Sequence, residues 1–211
     1  MNPGFENLNA VQREAVRKVD GPILILAGAG SGKTRVITHR IASLILNENI
    51  SPYSICAMTF TNKAANEMKE RVIALLPDFS GEIMVKTFHS LCLFILRSNW
   101  EQLGFSSNFT IYDSSLQESL ISEVVKSFKL DVKEFKPGSI ATIISRAKDE
   151  MLSPLEWFNA LDESAIGRYY ENVLKIFERY ELYKEKQNAL DFGDLIFRTV
   201  KLFEANASLL Q

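Results

Sequence analysis

Three glycines at positions 28, 30 and 32 precede Lys33 and Thr34. Because glycine adopts backbone conformations that other residues avoid, several N–H groups of such a loop converge on phosphate oxygens. The lysine then reaches the β and γ phosphates of a nucleoside triphosphate, and the threonine hydroxyl binds Mg²⁺. The sequence therefore predicts catalytic roles for Lys33 and Thr34, a metal contact by Thr34, and cofactor binding by Ala27, Gly28, Ala29, Gly30, Ser31, Gly32, Lys33, Thr34 and Arg35.

The first position of this loop is Ala27, where the usual pattern has glycine. One alternative is a tight strand-to-helix turn with an incidental Lys-Thr pair. A dinucleotide-binding turn fits less well, because it needs G-x-G-x-x-G and an acidic residue about 20 positions later. The flanking elements favour the triphosphate site, since a strand is predicted before the loop and a helix after it.

The elements around the loop alternate between strand and helix. Short apolar runs predict buried strands at 22–27, 55–60 and 83–86, and helical spacing of apolar residues predicts helices at 33–45 and 64–76. This β-α-β-α-β order is typical of a doubly wound parallel sheet. The fold class is therefore α/β.

The pattern changes after Phe88, and we expect the second region to be mostly helical. Amphipathic stretches lie at 89–100, 115–128, 138–150, 166–187 and 195–203. The apolar and aromatic stripes between 166 and 203 are interpreted as core, including Tyr169, Tyr170, Phe177 and Tyr180.

A nucleoside triphosphatase also needs an acidic residue at the end of a core strand to hold magnesium. Asp113 follows an apolar alternation, but the serines after it favour a helix start. Asp191 and Asp194 follow residues 187–189, which do not have the pattern of a core strand. No convincing second carboxylate is therefore predicted in this chain.

Composition narrows the class of protein further. The 211 residues are 46% hydrophobic and 24% charged, which excludes disorder of the whole chain. The net charge of −2 gives no general basic footprint, so any DNA site must be local. Cys56 and Cys92 lack metal-binding spacing, and no apolar run is long enough for a membrane span. We expect a reduced, cytoplasmic protein with no membrane association.

Several further segments resemble those of the UvrD/Rep/PcrA-like superfamily 1A DNA helicases. Residues 8–16 (LNAVQREAV) are similar to the family's glutamine motif, and residues 27–36 (AGAGSGKTRV) to its P-loop. TFTNKAANEM at 59–68 resembles motif Ia, and TFHS at 87–90 resembles motif Ib. FTIYD at 109–113 and DFGDLI at 191–196 are similar to segments that flank the family's helical insertion.

The resemblance implies a P-loop NTPase with a RecA-like parallel sheet and an inserted all-helical subdomain. Residues 1–90 and 190–211 would form the first, incomplete ATP-binding lobe, and 91–189 the insertion. Family members carry their magnesium-binding Asp-Glu and arginine finger later in the chain, so the resemblance implies an N-terminal fragment without turnover of its own. We expect the fragment to be a monomer. The parent would use ATP and Mg²⁺ to move 3′ to 5′ on single-stranded DNA and to unwind duplexes at junctions, alongside possible repair or replication proteins.

The resemblance also suggests roles for individual residues. Gln12 would contact adenine through its amide, the alternative being a surface residue of an amphipathic helix. Phe60 would stack on an unpaired base, with core packing as the alternative. Phosphate or further DNA contacts are expected from the residues that follow the second and third strands: Thr61, Asn62, Lys63, Thr87, Phe88 and His89. Arg40, Lys69 and Arg71 are interpreted as solvated helix charges.

Two other functions remain open. The chain alone would be a nucleotide- and single-strand-binding module without catalysis, while its parent is an enzyme. A small P-loop kinase or unrelated NTPase would instead turn over ATP without DNA, but the motifs at 59–68 and 87–90 argue against it.

Overall fold

The computed structural model describes residues 5–76, 79, 81–164 and 166–210. The chain divides into two compact units, unit 1 (Met1–Ser90) and unit 2 (Leu91–Gln211). Each unit contains a two-stranded parallel sheet together with helices, so the fold is mixed α/β. Within the described ranges, no helix combines the length and the apolar character needed to cross a membrane.

Unit 1 follows the predicted order of alternating helix and strand in its second half. Its elements are α1 (Ala10–Arg17), α2 (Lys33–Leu46), β1 (Cys56–Thr59), α3 (Asn62–Ala74), β2 (Met84–Thr87) and the start of α4 (Phe88–Ser98). β1 and β2 pair in parallel, with Cys56 opposite Met84 and Thr59 opposite Thr87. The intervening α3 is the crossover that parallel pairing requires. Its buried face packs with α2 and the strands through Ile41, Ala42, Ala57, Met68, Val72, Leu76 and Ile83.

The predicted strand at 22–27 is wrong for this structure. These residues form no ladder with β1 or β2, and the side chains of Leu24 and Leu26 are 82% and 86% exposed. An apolar run of this kind suits a central strand that has a neighbour on each edge and helices on both faces. The described residues supply no such neighbour for it, so the predicted three-stranded sheet is a two-stranded one here.

Unit 2 is mostly helical, as the sequence pattern predicts, but the all-helical insertion implied by the resemblance is wrong. Strand β3 (Thr110–Tyr112) pairs in parallel with β4 (Ala189–Asp191), which is completely buried. The remaining elements are α5 (Ser114–Ser127), α6 (Pro137–Asp149), α7 (Pro154–Asn159), α8 (Arg168–Lys186) and α9 (Phe192–Ala205). The interpretation of residues 187–189 as outside any strand therefore fails at Ala189. Three-residue strands are too short to show an alternating pattern in the sequence.

The core of unit 2 contains the aromatic residues predicted for it. Phe177 and Tyr180 of α8 are fully buried, and Tyr169 and Tyr170 pack against the same cluster at its edge. Residues 190–211, which the family resemblance assigns to the ATP-binding lobe, lie in unit 2. There they contribute Leu190, Leu195 and Leu202 to a second buried cluster with Leu96, Phe105 and Phe109.

Candidate functional site

The glycine-rich loop of unit 1 leads directly into α2, as the sequence predicts. Gly32 is the residue before the helix and has a φ of +87°, and Gly30 has a φ of +75°. Both values lie in the left-handed region, where a side chain would strain the backbone. The loop therefore takes a shape that depends on glycine at these two positions.

The side chain of Lys33 folds back over this loop. Its ammonium donates hydrogen bonds to the carbonyl oxygens of Ala27 at 3.0 Å and Gly28 at 2.7 Å. The Ser31 hydroxyl also donates to the Gly28 carbonyl, at 2.7 Å. Lys33 and Thr34 are both exposed at the start of α2, where the first backbone N–H groups lack acceptors within the helix. This arrangement fits the triphosphate of a nucleotide, because an exposed ammonium and a helix N-terminus meet at one glycine loop.

Gln12 lies beside the same loop, although it is 19 residues from Ser31 in sequence. Its Nε2 donates to the Ser31 carbonyl at 3.1 Å, and its Oε1 accepts from the backbone N–H of Asn9 at 3.1 Å. A Cβ at Gly32 would lie 3.0 Å from the same Nε2. The structure thus brings Gln12 to the loop, while its predicted contact with adenine would replace two existing hydrogen bonds and stays a prediction.

The two aromatic residues predicted to contact DNA are neighbours in unit 1. The rings of Phe60 and Phe88 are 5.8 Å apart between centroids, and both follow the ends of paired strands. Phe60 is 91% exposed, so the alternative of core packing for this side chain is wrong. Two exposed rings at one edge of a sheet form a surface on which unpaired bases can stack.

The polar residues around these rings form a small hydrogen-bonded group. Thr61 caps α3 by accepting from the Ala64 N–H at 3.1 Å. The Thr87 hydroxyl donates to the Ser90 hydroxyl at 2.8 Å, and Ser90 in turn approaches the Asn62 amide oxygen at 3.5 Å. Sequence reasoning did not select Ser90, although it belongs to the TFHS segment. Lys63 lies exposed in the first turn of α3, and His89 lies in the first turn of α4.

Arg40 is not the solvated charge that the sequence suggested. Its guanidinium donates to the backbone carbonyls of Ala15 at 2.9 Å, of Val19 at 3.4 Å, and of Lys18. Arg71, by contrast, is exposed and pairs at 3.5 Å with Glu67, one turn away on α3. The spacing of apolar residues does not distinguish these two arginines, because Arg40 bonds to a segment more than twenty residues away.

The three carboxylates considered for magnesium have other partners. Asp113 caps α5 by accepting from the Leu116 N–H at 2.9 Å, which confirms its interpretation as a helix start. Asp191 and Asp194 are buried and are bound by two lysine ammonium groups that the sequence did not indicate. Lys148 contacts both carboxylates at 2.7 Å, and Lys184 contacts Asp191 at 2.8 Å as well as Asp194.

We call this group the ionic cluster: Lys148, Tyr180, Glu181, Lys184, Asp191, Asp194 and Arg198. Carboxylate oxygens of Glu181, Asp191 and Asp194 lie within 4.8 Å of one another, a spacing that could hold a cation. Two lysine ammonium groups already supply that positive charge, and the Tyr180 hydroxyl donates to Asp191 at 2.8 Å. The cluster therefore acts as an internal brace that joins α6, α8 and α9.

Electrostatics in the ionic cluster favour the charged forms. Burial by itself would raise the pKa of Asp191 and Asp194, but the charges of Lys184 and Lys148 outweigh it and lower both. For Lys148, burial would lower the pKa, and the charges of Glu181, Asp194 and Asp191 raise it instead. Each of these groups consequently keeps its charge over a wider pH range in the folded state than in the unfolded chain.

These pKa shifts predict how the stability of unit 2 depends on pH. The folded pKa of both aspartates lies below the unfolded value of about 3.9, so their stabilisation is complete well above pH 4 and is lost as the pH falls below it. Lys148 contributes below its unfolded value of about 10.4, and its contribution is lost at higher pH. The free energy of unfolding should therefore fall steeply in acid. Both tryptophans, Trp100 and Trp157, lie in unit 2, so urea titrations followed by tryptophan fluorescence measure this unit selectively.

Asp194→Asn is the matched control for that titration. At pH 7 the variant should have a lower free energy of unfolding than the unsubstituted chain. Near pH 3 the two free energies should approach each other, because the variant lacks one titrating carboxylate. If the free energy of unfolding fell equally steeply with decreasing pH in both chains, the acid sensitivity would not arise from the ionic cluster.

Residues 8–211 match the family model described as "UvrD/REP helicase N-terminal domain", so the chain belongs to this family. Among individual proteins, it is 44% identical over 211 residues to the ATP-dependent DNA helicase PcrA of Bacillus subtilis (strain 168). It is 44% identical over 204 residues to that of Leuconostoc citreum, and 43% identical over 211 residues to that of Staphylococcus aureus (strain Mu50). These alignments cover 96% to 100% of the chain but only 27% to 28% of the relatives.

Proposed function

We propose that this chain is the ATP-binding N-terminal part of an ATP-dependent DNA helicase. The parent protein would translocate 3′ to 5′ on single-stranded DNA and unwind duplexes at single-strand junctions during repair or replication. The observation that carries the proposal is the glycine loop with the Lys33 ammonium folded over it and Gln12 beside it. The names of the relatives, ATP-dependent DNA helicases, support it.

In this proposal the loop residues 27–35 bind the triphosphate of ATP. Lys33 would exchange the Ala27 and Gly28 carbonyls for phosphate oxygens, and the Thr34 hydroxyl would face Mg²⁺. Arg35 supplies a second positive charge one residue further on. Gln12 would turn its amide from Asn9 and Ser31 toward the adenine edge. Bound MgATP supplies the free energy of hydrolysis that drives movement.

We also propose that the intact protein completes a RecA-like sheet around residues 22–27. Its first lobe would contain residues 1–90 and 190–211, and the insertion residues 91–189. The exposure of Leu24 and Leu26 supports this, since a fully apolar run is otherwise costly to leave in water. Added strands and helices would cover both faces of that segment.

Phe60, Phe88 and the polar residues beside them would bind single-stranded DNA. We expect Phe60→Ala to weaken the affinity of the chain for single-stranded DNA about tenfold to a hundredfold. The reason is that stacking on one aromatic ring contributes ~1 to 3 kcal/mol per base. Fluorescence anisotropy with a labelled oligothymidine measures the change. Since Phe60 is 91% exposed, the variant should unfold at the same temperature as the parent chain.

Tyr53→Ala provides the matched control for this measurement. Tyr53 is an aromatic residue of unit 1 that is 80% exposed and does not belong to the Phe60–Phe88 pair. Its removal should leave DNA affinity unchanged. Equal losses for Phe60→Ala and Tyr53→Ala would mean that any exposed ring contributes, and that the proposed base contact does not exist.

The chain alone should bind nucleotide and DNA without turnover, because Asp113 caps a helix and the ionic cluster neutralises Asp191 and Asp194. Steady-state ATP hydrolysis with and without single-stranded DNA tests this. DNA binding without hydrolysis supports the proposal. Hydrolysis without DNA that disappears in Lys33→Ala would favour a self-contained NTPase.

A further inference from the structure

Arg40 lies two turns into α2, away from the glycine loop, and bonds to the end of α1. Its guanidinium meets three carbonyl oxygens at residues 15, 18 and 19, just where α1 finishes at Arg17. The last carbonyls of a helix lack partners within the helix and carry a partial negative charge. One planar guanidinium can donate to several of them at once, which a lysine ammonium on a flexible stem does less well.

The position of α1 depends on such tertiary contacts. The helix has only eight residues, and an isolated helix of that length is not stable in water. Three contacts attach α1 to the glycine loop and to α2, which follows it. Val16 is buried against Val36, Arg40 holds the C-terminal end, and Gln12 bonds to Ser31. Arg40 contributes the polar part of this attachment on the side away from the loop.

We propose that Arg40 is a positioning residue for recognition of the nucleotide base. It would act through α1, because holding this helix against α2 fixes the distance between Gln12 and the glycine loop. A glutamine amide matches the donor and acceptor on adenine but not the two acceptors that guanine presents. Arg40 therefore sets the preference for ATP over GTP while making no contact with the nucleotide. The inference rests on the proposed function of the loop as an ATP site.

The test measures binding of fluorescent ATP and GTP analogues to the 211-residue chain and its variants. Arg40→Met should lower the ATP affinity about tenfold and leave the GTP affinity unchanged, because the phosphate contacts at Lys33 remain. Gln12→Ala should produce the same loss, and the double variant should lose no more than either single one. Arg71→Met, which removes an exposed arginine from α3, is the matched control and should preserve the preference.

Hydrogen exchange provides a second measurement that does not need nucleotide. Arg40→Met should speed exchange at residues 10–17 and leave α3 protected, which also shows that unit 1 remains folded. Arg40→Lys keeps the positive charge and should therefore recover part of the preference for ATP over GTP. It replaces Arg40→Met in both measurements if the methionine variant does not fold.

An unchanged ratio of ATP to GTP affinity in Arg40→Met, beside a lost ratio in Gln12→Ala, would overturn the inference. An equal fall for both nucleotides would also overturn it, because it would indicate general damage. Failure of the proposed function looks different. In that case the unsubstituted chain would bind neither the ATP nor the GTP analogue, or the Lys33→Ala variant would bind both as tightly as the unsubstituted chain does.

Discussion

Under the proposed function, Lys33→Ala should lower the DNA-stimulated ATP turnover of the intact protein by a factor of at least about 100. The ammonium of Lys33 lies over the glycine loop on the carbonyls of Ala27 and Gly28, where a bound triphosphate would place its negative charge. Alanine removes the only side-chain cation that the structure places directly on the described loop carbonyls. In the 211-residue chain, the corresponding result is loss of MgATP binding in titration calorimetry.

The matched control is Lys69→Ala, which removes a lysine from α3 outside the loop. It should leave nucleotide binding unchanged. Because Lys33 is exposed, Lys33→Ala should also unfold at the temperature of the parent chain, so lost binding would not reflect lost structure. Undiminished turnover in the Lys33→Ala protein would show that ATP binds elsewhere.

Lys184→Met should destabilise unit 2 by about 3 to 5 kcal/mol, which is the usual cost of removing one member of a buried ion pair. Lys184 is completely buried, and its ammonium contacts Glu181 at 2.9 Å and Asp191 at 2.8 Å. Methionine has a similar volume, so the cost arises from carboxylates left with less positive charge rather than from a cavity. Urea unfolding followed by tryptophan fluorescence measures the loss.

Lys201→Met on α9 serves as the control for that experiment. The Lys201 ammonium pairs with Glu204 at 3.1 Å, but both side chains are largely exposed. Pairs of this kind contribute under about 1 kcal/mol. If Lys184→Met were no less stable than Lys201→Met, the ionic cluster would not be the brace that its geometry suggests.

The local features of the candidate site could be predicted from the sequence because they depend on short-range chemistry. The glycine loop, the helix that begins at Lys33 and the parallel pairing of β1 with β2 all follow from neighbouring residues. The predicted strand at 22–27 is wrong for this structure because strand formation requires a partner strand, which a local pattern cannot supply. The local pattern does not predict the short strands β3 and β4 for a related reason: they pair across almost eighty residues.

The ionic cluster and Arg40 could not have been found from periodicity either. Lys148 and Lys184 lie on helices that also carry exposed charges, and no signal in the sequence connects Lys148 with Asp191 or Asp194. Arg40 looks like an ordinary exposed helix residue until the carbonyls of α1 are placed beside it. Long-range pairing of charged groups is therefore the part of this fold that single-sequence reasoning misses.

The pairing of β3 with β4 also has a consequence for the order in which unit 2 folds. Thr110 can pair with its strand partner only after Ala189 has been synthesised, and Lys148 can form its ion pair only after Asp191 has been synthesised. During synthesis, α5 and α6 would emerge with their apolar faces long before these partners exist. Contacts between such distant residues form slowly, because a long loop must close first. Folding of unit 2 should therefore be completed only after residues 189–194 have been synthesised. Until then, the apolar faces of α5 and α6 would remain accessible to a chaperone.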